Sequence, residues 1–282
     1  MSLSTLVSSS VLAEHLNDSG WRVFDCRHQL SDVDAGARAY ASGHLPGAFF
    51  LHLEHDLSGP TNGHNGRHPL PAPRVLADKL AAAGVCAATQ VVAYDDAGGM
   101  IAGRLWWLLR WLGHDRVAVL DGGIDRWLAE GRPLSTDSPK SAASIFEVAP
   151  RDWVVSSDRL LADLHDHRVC LIDARSPDRF RGENETLDPV GGHIPGARNR
   201  FFRDNLDTDG CFRPVAELRR DFLALLADCS PQQVVMSCGS GVTACHNLLA
   251  MELAGLPGAR LYAGSWSEWC SDPARPVTRQ AD

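Results

Sequence analysis

The chain lacks the features that proteins use to bind nucleic acid or to cross a membrane. Among its 282 residues, 35 Asp and Glu outnumber 27 Lys and Arg, and neither a basic run nor a bilayer-length apolar run occurs. The first residues, Met1–Leu16, also lack the positive charge and unbroken apolar core of a secretory signal. We therefore expect a cytoplasmic protein with no nucleic acid and no membrane among its partners.

Metal and disulfide frameworks are also missing from the sequence. The eight cysteines include no Cys-x-x-Cys pair and no zinc-knuckle spacing. The histidines between His52 and His68 are irregularly spaced and have no cysteine nearby. Because thiols stay free in a reducing compartment, we expect no disulfide scaffold. Because the cysteines and histidines lack metal-ligand spacing, we expect no metal, and we expect no other cofactor.

What the chain does contain is one design used twice. Four motifs recur in the same order: Val23–Arg27 with Leu171–Arg175, Gly43–Ala48 with Gly192–Ala197, Val91–Asp95 with Val234–Cys238, and Leu120–Gly123 with Leu261–Gly264. A repeat this long indicates duplicated domains rather than a solenoid. We predict a first domain over residues 1–134, a linker over 135–152 and a second domain over 153–282.

Each half alternates short β-branched runs with stretches of helical periodicity. The predicted strands are Val23–Cys26, Val91–Tyr94, Val117–Leu120, Val169–Asp173, Val234–Ser237 and Arg260–Tyr262. The predicted helices are Arg74–Ala83, Met100–Leu112, Ser157–Leu164, Pro214–Ala227 and Thr243–Leu253. This alternation predicts an α/β fold in which each domain has a central parallel sheet with helices on both faces.

Cys238 is the candidate nucleophile. It follows the β-forming run Val234–Ser237 and precedes a turn, containing Gly239 and Gly241, that opens a helix. Backbone N–H groups in such a turn and the helix N-terminus favour the nucleophilic thiolate. The alternative is a buried, inert cysteine, but two glycines are costly unless the backbone must curl tightly. The first half has Asp95 at the matching position, which offers no thiol, so we expect that domain to be catalytically silent.

Two groups of motifs resemble a known family over nearly the whole chain. The string Cys-Gly-Ser-Gly-Val-Thr-Ala-Cys that begins at Cys238 and the two Gly-His-x-Pro-Gly-Ala turns resemble the two-domain rhodanese superfamily. Within it, the string is most similar to the 3-mercaptopyruvate sulfurtransferases. The resemblance implies transfer of sulfane sulfur from a small anionic donor to a thiol such as thioredoxin, or to cyanide, through a persulfide on Cys238. Thiosulfate is the alternative donor.

The resemblance also implies which residues bind the donor. Arg179 matches the position that binds the substrate carboxylate in these enzymes. Around the sulfur, the turn contributes Gly239, Ser240, Gly241, Val242 and Thr243. The equivalent of Ser240 contacts substrate or assists proton transfer in the resembling enzymes. We therefore expect Arg179 and this turn to form the substrate site.

Two supporting contributions are less completely matched. His68 corresponds to a histidine that the resembling enzymes bring toward the catalytic loop, with Glu54 or Asp56 as its acidic partner. Animal-type enzymes also place a second arginine in a Glu-Pro-Arg segment, which this chain replaces with the shorter, acidic stretch 182–190. Arg200 and Arg203 are the candidates to supply that second cation.

The loop after Cys238 favours mercaptopyruvate over thiosulfate. Its Gly-Ser-Gly sequence offers no side-chain cation to neutralise the thiosulfate dianion, whereas mercaptopyruvate carries its charge away from sulfur and suits a distant Arg179. Two other functions fit less well. A Cys-x5-Arg phosphatase would need arginine in place of Ala244, and a binding module without activity would have no use for the cysteine.

Overall fold

The computed structural model describes residues 3–166 and 168–279, and the chain divides into two compact units. The first comprises Met1–Gly59, Leu70–Asp152 and Leu206–Phe212; the second comprises Pro60–Pro69, Trp153–Asn205 and Arg213–Asp282. A short segment of each half of the chain therefore groups with the unit built mainly from the other half. The predicted boundaries, 1–134, 135–152 and 153–282, stay a prediction, and residues 1, 2, 167 and 280–282 lie outside the described residues.

In the first unit, buried apolar runs form a five-stranded parallel sheet. Its elements are β1 Leu6–Val7, α1 Ser9–His15, β2 Trp21–Asp25, α2 Ala35–Ser42, β3 Phe49–Phe50, α3 Pro73–Ala82, β4 Gln90–Tyr94, α4 Ala102–Trp111, β5 Val117–Leu120 and α5 Gly123–Ala129. The strand order is β1-β5-β4-β2-β3, with parallel pairing throughout. All residues of β4 and β5 are buried, as expected of strands covered on both faces, and apart from Gln90 at the start of β4 they are apolar or aromatic.

The second unit repeats this plan with a four-stranded sheet. Its elements are α6 Ser157–His165, β6 Cys170–Asp173, α7 Pro177–Arg181, β7 Arg198–Asn199, α8 Val215–Leu226, β8 Val234–Ser237, α9 Thr243–Leu253, β9 Arg260–Leu261 and α10 Ser265–Trp269, with short 3₁₀ turns at Phe202–Asn205 and Pro231–Gln233. The strand order is β7-β6-β8-β9, again parallel. Both β6 and β8 are buried along their whole length.

The predicted fold class is confirmed, and most element bounds agree within two residues. Strand β8 and helix α9 have the predicted limits. Helix α4 begins at Ala102 rather than Met100, because the preceding residues form a turn whose N–H groups bind a carboxylate. The two-residue strands β1, β3 and β7 were not predicted, since two residues carry no detectable periodicity.

A duplicated polar framework stabilises the loops next to each sheet. In each unit an arginine binds the aspartate two residues before it and a carbonyl of the Gly-His turn: Arg27 with Asp25 and Gly43, and Arg175 with Asp173 and Gly192. The histidines of these turns are buried and hydrogen-bonded to backbone, with Nδ1 of His44 2.9 Å from a carbonyl oxygen and Nδ1 of His193 2.8 Å from another. These histidines belong to the framework of their turns.

Across residues 3–166 and 168–279, no helix combines the length and the apolar content that a bilayer crossing requires. Over the same residues, no group of three or more His, Cys, Asp and Glu side chains is arranged to hold a metal ion.

Candidate active site

The second unit places Cys238 immediately after β8, in the turn that leads to α9. Its side chain is buried, and its sulfur accepts a hydrogen bond from the N–H of Gly241 at 3.1 Å. The N–H of Cys238 donates to Ser265 Oγ at 3.0 Å, and its carbonyl accepts from the N–H of Trp266 at 2.9 Å. The sulfur therefore lies in a rigid turn that directs an amide donor at it, as a thiolate or persulfide requires.

The two glycines of the turn serve different purposes. Gly241 has φ +79°, and a Cβ on it would lie 2.3 Å from the carbonyl oxygen of Ala263, so the position tolerates only glycine. Gly239 is outside the left-handed region. A Cβ there would instead lie 2.9 Å from Nη2 of Arg67 and 3.6 Å from Nη1 of Arg179. Gly239 is thus the point where two guanidinium groups approach the turn.

Arg179 is near the turn, as the resemblance implies, but it is not alone. It projects from α7 and pairs with Glu185, with Nη2 2.8 Å from Oε1, and its Nη2 is 3.5 Å from Oδ2 of Asp188. Arg67 forms an ion pair with the other oxygen of Asp188. The acidic stretch that replaces the Glu-Pro-Arg segment therefore supplies carboxylates that bind the arginines of the site.

Arg67 is the residue that the sequence reasoning missed. The backbone N–H of Arg67 donates to Ser267 Oγ at 3.0 Å, and the backbone N–H of Ser267 donates to the carbonyl of Gly239 at 2.9 Å. The start of α10 thus holds both the Cys238 turn and the segment that carries Arg67. The only sequence signal was its position next to His68, because no local pattern reports a contact across 172 residues such as that of His68 with Ser240.

His68 and Ser240 are brought together in the second unit. Nδ1 of His68 is 2.7 Å from Oγ of Ser240, and both side chains are buried. The acidic partner suggested for His68 stays a prediction. Asp56 accepts a hydrogen bond from the N–H of His52 at 2.6 Å and pairs with Lys79, all inside the first unit. The Ser240 hydroxyl with its histidine is a group that can relay a proton beside the sulfur.

The remaining residues of the turn begin the helix. Val242 is buried and precedes α9, and Thr243 is its first residue and half-buried. Cys245 is also buried, and its thiol lies 3.3 Å from the carbonyl oxygen of Gly241. Its contact is with the backbone of the turn, which indicates a packing role. The binding roles of Val242 and Thr243 stay a prediction.

Arg200 lies in a different polar cluster of the second unit. Its Nη2 donates to Oδ1 of Asn205 at 3.1 Å, its Nη1 is 3.7 Å from Asp221, and its guanidinium lies over the ring of Phe222 at 5.1 Å. Burial lowers the pKa of Arg200. Arg203 lies over the ring of Phe202 at 5.9 Å. These described contacts hold both arginines among residues outside the Cys238 turn, so a donor-binding role for Arg200 stays a prediction.

Glu185 and Asp188, the two acids that pair with Arg179 and Arg67, differ in how well their surroundings stabilise the charged form. Burial acts to raise the pKa of Glu185, but hydrogen bonds from Arg179 and from the N–H of Leu187 outweigh it and hold the pKa below its usual range. Burial also acts on Asp188, and there it prevails over the Arg67 ion pair, so the pKa of Asp188 is raised. Glu185 is a fixed partner of Arg179, whereas the charged form of Asp188 is incompletely compensated.

A third guanidinium, that of Arg175, interacts electrostatically with Cys238. Burial acts to lower the pKa of Arg175, but the charges of Asp173, Glu185 and Cys238 outweigh it and raise the pKa overall. Its guanidinium is 4.8 Å from the ring centre of Trp266 and is hydrogen-bonded to Asp173 and to the carbonyl of Gly192. Arg175 therefore contributes positive charge while being committed to the framework.

Other thiols of the chain are poorly suited to act as nucleophiles. Burial raises the pKa of Cys170, Cys211 and Cys270 to about 11, so these groups stay protonated near neutral pH. Cys86 differs, because a hydrogen bond from Thr89 lowers its pKa at the surface of the first unit. Chemical labelling therefore has to distinguish Cys86 from Cys238.

The equivalent turn in the first unit is already filled by its own side chain. Asp95 follows β4 as Cys238 follows β8, and its carboxylate is fully buried. Its oxygens accept four backbone N–H bonds of 2.7–2.9 Å, from Ala97, Gly99, Ile101 and Ala102. A carboxylate held in this way has neither the atom nor the freedom to act as a sulfur carrier; catalytic silence of this domain stays a prediction.

Known proteins share this architecture. The model of the rhodanese-like domain matches residues 8–130 and 156–272. A Pseudomonas aeruginosa protein described as "Probable 3-mercaptopyruvate sulfurtransferase" is 49% identical over 98% of this chain and 99% of its own. The thiosulfate sulfurtransferase of Cricetulus griseus is 35% identical over 97% of this chain and 94% of its own.

Solved structures agree with the sequence relatives. The structure of 3-mercaptopyruvate sulfurtransferase from Leishmania major superposes with a TM-score of 0.83 at 32% identity, over 94% of this chain and 74% of that one. The two matched regions of the domain model account for most of the sequence. With rhodanese-like domain matches over residues 8–130 and 156–272 and relatives that are sulfurtransferases, the chain belongs to the rhodanese family of sulfurtransferases.

Proposed function

We propose that this protein takes sulfane sulfur from 3-mercaptopyruvate, holds it as a persulfide on Cys238, and passes it to a thiol such as thioredoxin or to cyanide. The observation that carries the proposal is a buried cysteine sulfur in a glycine turn with two guanidinium groups beside it. Charge at the sulfur is met by a backbone amide, while a carboxylate at the other end of the donor is met by arginine.

The first half-reaction follows from this arrangement. The Cys238 thiolate attacks the thiol sulfur of the donor, so an S–S bond forms as the donor's C–S bond breaks. The electron pair of that bond goes to the methylene carbon, which takes up the donor's thiol proton to give pyruvate. The Ser240 hydroxyl, bonded to His68, is placed to relay this proton, and the Gly241 N–H stabilises the sulfur anion.

The carboxylate of the donor requires a cation away from the sulfur. Arg179 and Arg67, here called the arginine pair, both approach Gly239, the residue after the nucleophile. A planar guanidinium matches a carboxylate in two-point fashion. We therefore assign donor-carboxylate binding to the arginine pair, with Arg67 in the role for which the sequence offered Arg200 and Arg203.

The second half-reaction returns the enzyme to its starting state. An acceptor thiolate attacks the outer sulfur of the persulfide, and Cys238 leaves as a thiolate that again accepts the Gly241 N–H. With cyanide the product is thiocyanate. We propose the cytoplasm as the location of this chemistry. Neither nucleic acid nor a membrane surface is a proposed partner, because the chain is acidic and has no basic run.

Thiosulfate is the second candidate donor, and one observation favours keeping it. The arginine pair brings positive charge to Gly239 even though the turn itself has no basic side chain, so a sulfonate group would also find cations there. A relative at 35% identity is a thiosulfate sulfurtransferase. The donor charge, one negative on mercaptopyruvate and two on thiosulfate, separates the two candidates.

A side-by-side measurement of both donors tests the proposal. With cyanide as the common acceptor, kcat/KM for 3-mercaptopyruvate should exceed that for thiosulfate by at least about tenfold, or about 1.4 kcal/mol. The Cys238→Ser variant sets the uncatalysed background for each donor. A wild-type preference for thiosulfate would overturn mercaptopyruvate as the donor and leave the second candidate in its place.

A further inference from the structure

Asp188 lies between the two guanidinium groups of the arginine pair. One of its oxygens is ion-paired with Arg67, and the other is 3.5 Å from Nη2 of Arg179. The side chain is 3% exposed, and its Oδ2 atom has no hydrogen bond from the described residues. The buried carboxylate of Asp188 thus lies between two guanidinium groups that approach the Cys238 turn.

The charges around the turn cancel one another. The buried or half-buried cations are Arg67, Arg175 and Arg179, and the buried anions that pair with them are Asp173, Glu185 and Asp188. Asp173 and Glu185 are each held by several hydrogen bonds, whereas Asp188 accepts its one side-chain hydrogen bond from Arg67. Asp188 is therefore the anion whose charge is least committed to its neighbours.

We infer that Asp188 sets the charge of the donor that this enzyme accepts. Its carboxylate offsets one charge of the arginine pair, so the site attracts an anion weakly and repels each further negative charge on the ligand. The inference deepens the proposed function and rests on it, because it concerns the same donor site. It assigns to Asp188 a specificity role: acceptance of singly charged donors and disfavour of doubly charged ones.

The physical basis is the proportionality of Coulomb energy to ligand charge. Removing the negative charge of Asp188 improves the interaction energy of a dianion by twice as much as that of a monoanion at the same position. A gain of about tenfold for a monoanion then corresponds to roughly a hundredfold for a dianion. The ratio of the two gains reports charge, and a general loosening of the site would not produce it.

The test is Asp188→Asn, which keeps the shape of the side chain and removes its charge. We expect kcat/KM for thiosulfate to rise about ten times more than kcat/KM for 3-mercaptopyruvate. The matched control is Glu183→Gln in the same acidic stretch, since Glu183 is exposed and pairs only with the exposed Arg181 among its described contacts. That variant changes the net charge of the protein equally and should leave the donor ratio unchanged.

Ligand binding separates this inference from the proposed function. In the Cys238→Ser background, calorimetry with pyruvate and with sulfate measures a monoanion and a dianion without any turnover. Asp188→Asn should tighten sulfate binding by a larger factor than pyruvate binding, whichever donor the wild type prefers. Equal factors for the two ligands, or no change for either, would overturn the role of Asp188 while leaving the sulfur-transfer chemistry intact.

A second substitution protects the test against a folding defect. If Asp188→Asn does not give a wild-type unfolding transition, Asp188→Ser provides the same comparison with a smaller neutral side chain. If the affinity for sulfate increases by a larger factor than the affinity for pyruvate in either folded variant, the inference is supported. A folded variant in which both ligands bind less tightly would show that Asp188 only positions Arg67, and would contradict it.

Discussion

The turn after β4 in the first unit and the turn after β8 in the second begin alike and carry opposite chemistry. Asp95 fills the first with a carboxylate that accepts four backbone N–H groups. Cys238 occupies the same point of the second, where its sulfur accepts the N–H of Gly241. Both turns direct backbone N–H groups at the side chain that follows the strand. In the first unit that side chain is a carboxylate, and in the second it is the sulfur to which we assign the transfer reaction.

The next residue of each turn extends this contrast. In the first unit it is Asp96, whose pKa is raised by burial and by the charge of Asp95. In the second it is Gly239, whose missing side chain leaves space for the guanidinium groups of Arg67 and Arg179. The first turn carries the carboxyl groups of Asp95 and Asp96, whereas two guanidinium groups, each paired with a carboxylate, approach the second. We therefore expect only the second turn to bind an anionic donor.

The largest expected effect comes from removing the sulfur that distinguishes the two turns. Cys238→Ser should abolish sulfur loading, because a hydroxyl cannot form a persulfide. Intact mass after incubation with donor should rise by one sulfur in the wild type and stay unchanged in the variant. Cys245→Ala is the control, since that thiol is buried and lies 3.3 Å from the carbonyl oxygen of Gly241, and the variant should load fully. Full loading of Cys238→Ser would contradict the assignment.

An intermediate effect is expected from Arg67 and Arg179, the two cations that approach Gly239 in the second turn. Arg67→Ala and Arg179→Ala should each lower kcat/KM for 3-mercaptopyruvate by roughly one to two powers of ten, the cost of about 1.5–3 kcal/mol for a charge-assisted hydrogen bond. Arg179→Lys should recover part of the loss, because an ammonium keeps the charge without the planar fork.

The control for the arginine pair is Arg181→Ala, which removes an exposed arginine two residues from Arg179. It should leave kcat/KM within about twofold of wild type. Unchanged kinetics in Arg67→Ala would show that Arg67 is not the second cation, and would return Arg200 and Arg203 as the candidates for that role.

The smallest effect on activity, and a clear one on stability, is expected from the turn that contains Asp95. Asp95→Asn replaces one acceptor oxygen with an NH2 group, which cannot accept the backbone N–H bonds that this oxygen receives. The substitution should therefore lower the free energy of unfolding by about 2–4 kcal/mol. Urea unfolding measures this, with Asp78→Asn, an exposed acid of the same unit, as the control expected within about 0.5 kcal/mol.

Sulfur transfer should persist in folded Asp95→Asn, because the nucleophile belongs to the other turn. A variant as stable as Asp78→Asn would mean that the four hydrogen bonds of Asp95 contribute little. A variant that is stable but inactive would contradict the division of roles between the two turns.

Much of the fold and the centre of the site could be predicted from local sequence. Buried strands such as β8 are continuous apolar runs, and a glycine turn after such a run marks the start of a helix. The repeat then placed Asp95 and Cys238 at equivalent points without any coordinates. Two-residue strands and short helices could not be predicted from the sequence, because their stability comes from packing against neighbours rather than from a pattern of their own.

The sequence by itself determined the duplicated α/β design and identified Cys238 as the candidate nucleophile and Arg179 as the candidate carboxylate-binding residue. Only the tertiary structure decided which charges surround the nucleophile. Arg67 and Asp188 pair across 121 residues, Asp188 also lies 3.5 Å from Arg179, and both arginines approach Gly239. Local patterns report only the faces of strands and helices. An ion pair between distant segments depends on the path of the whole backbone and on the burial that removes competing water.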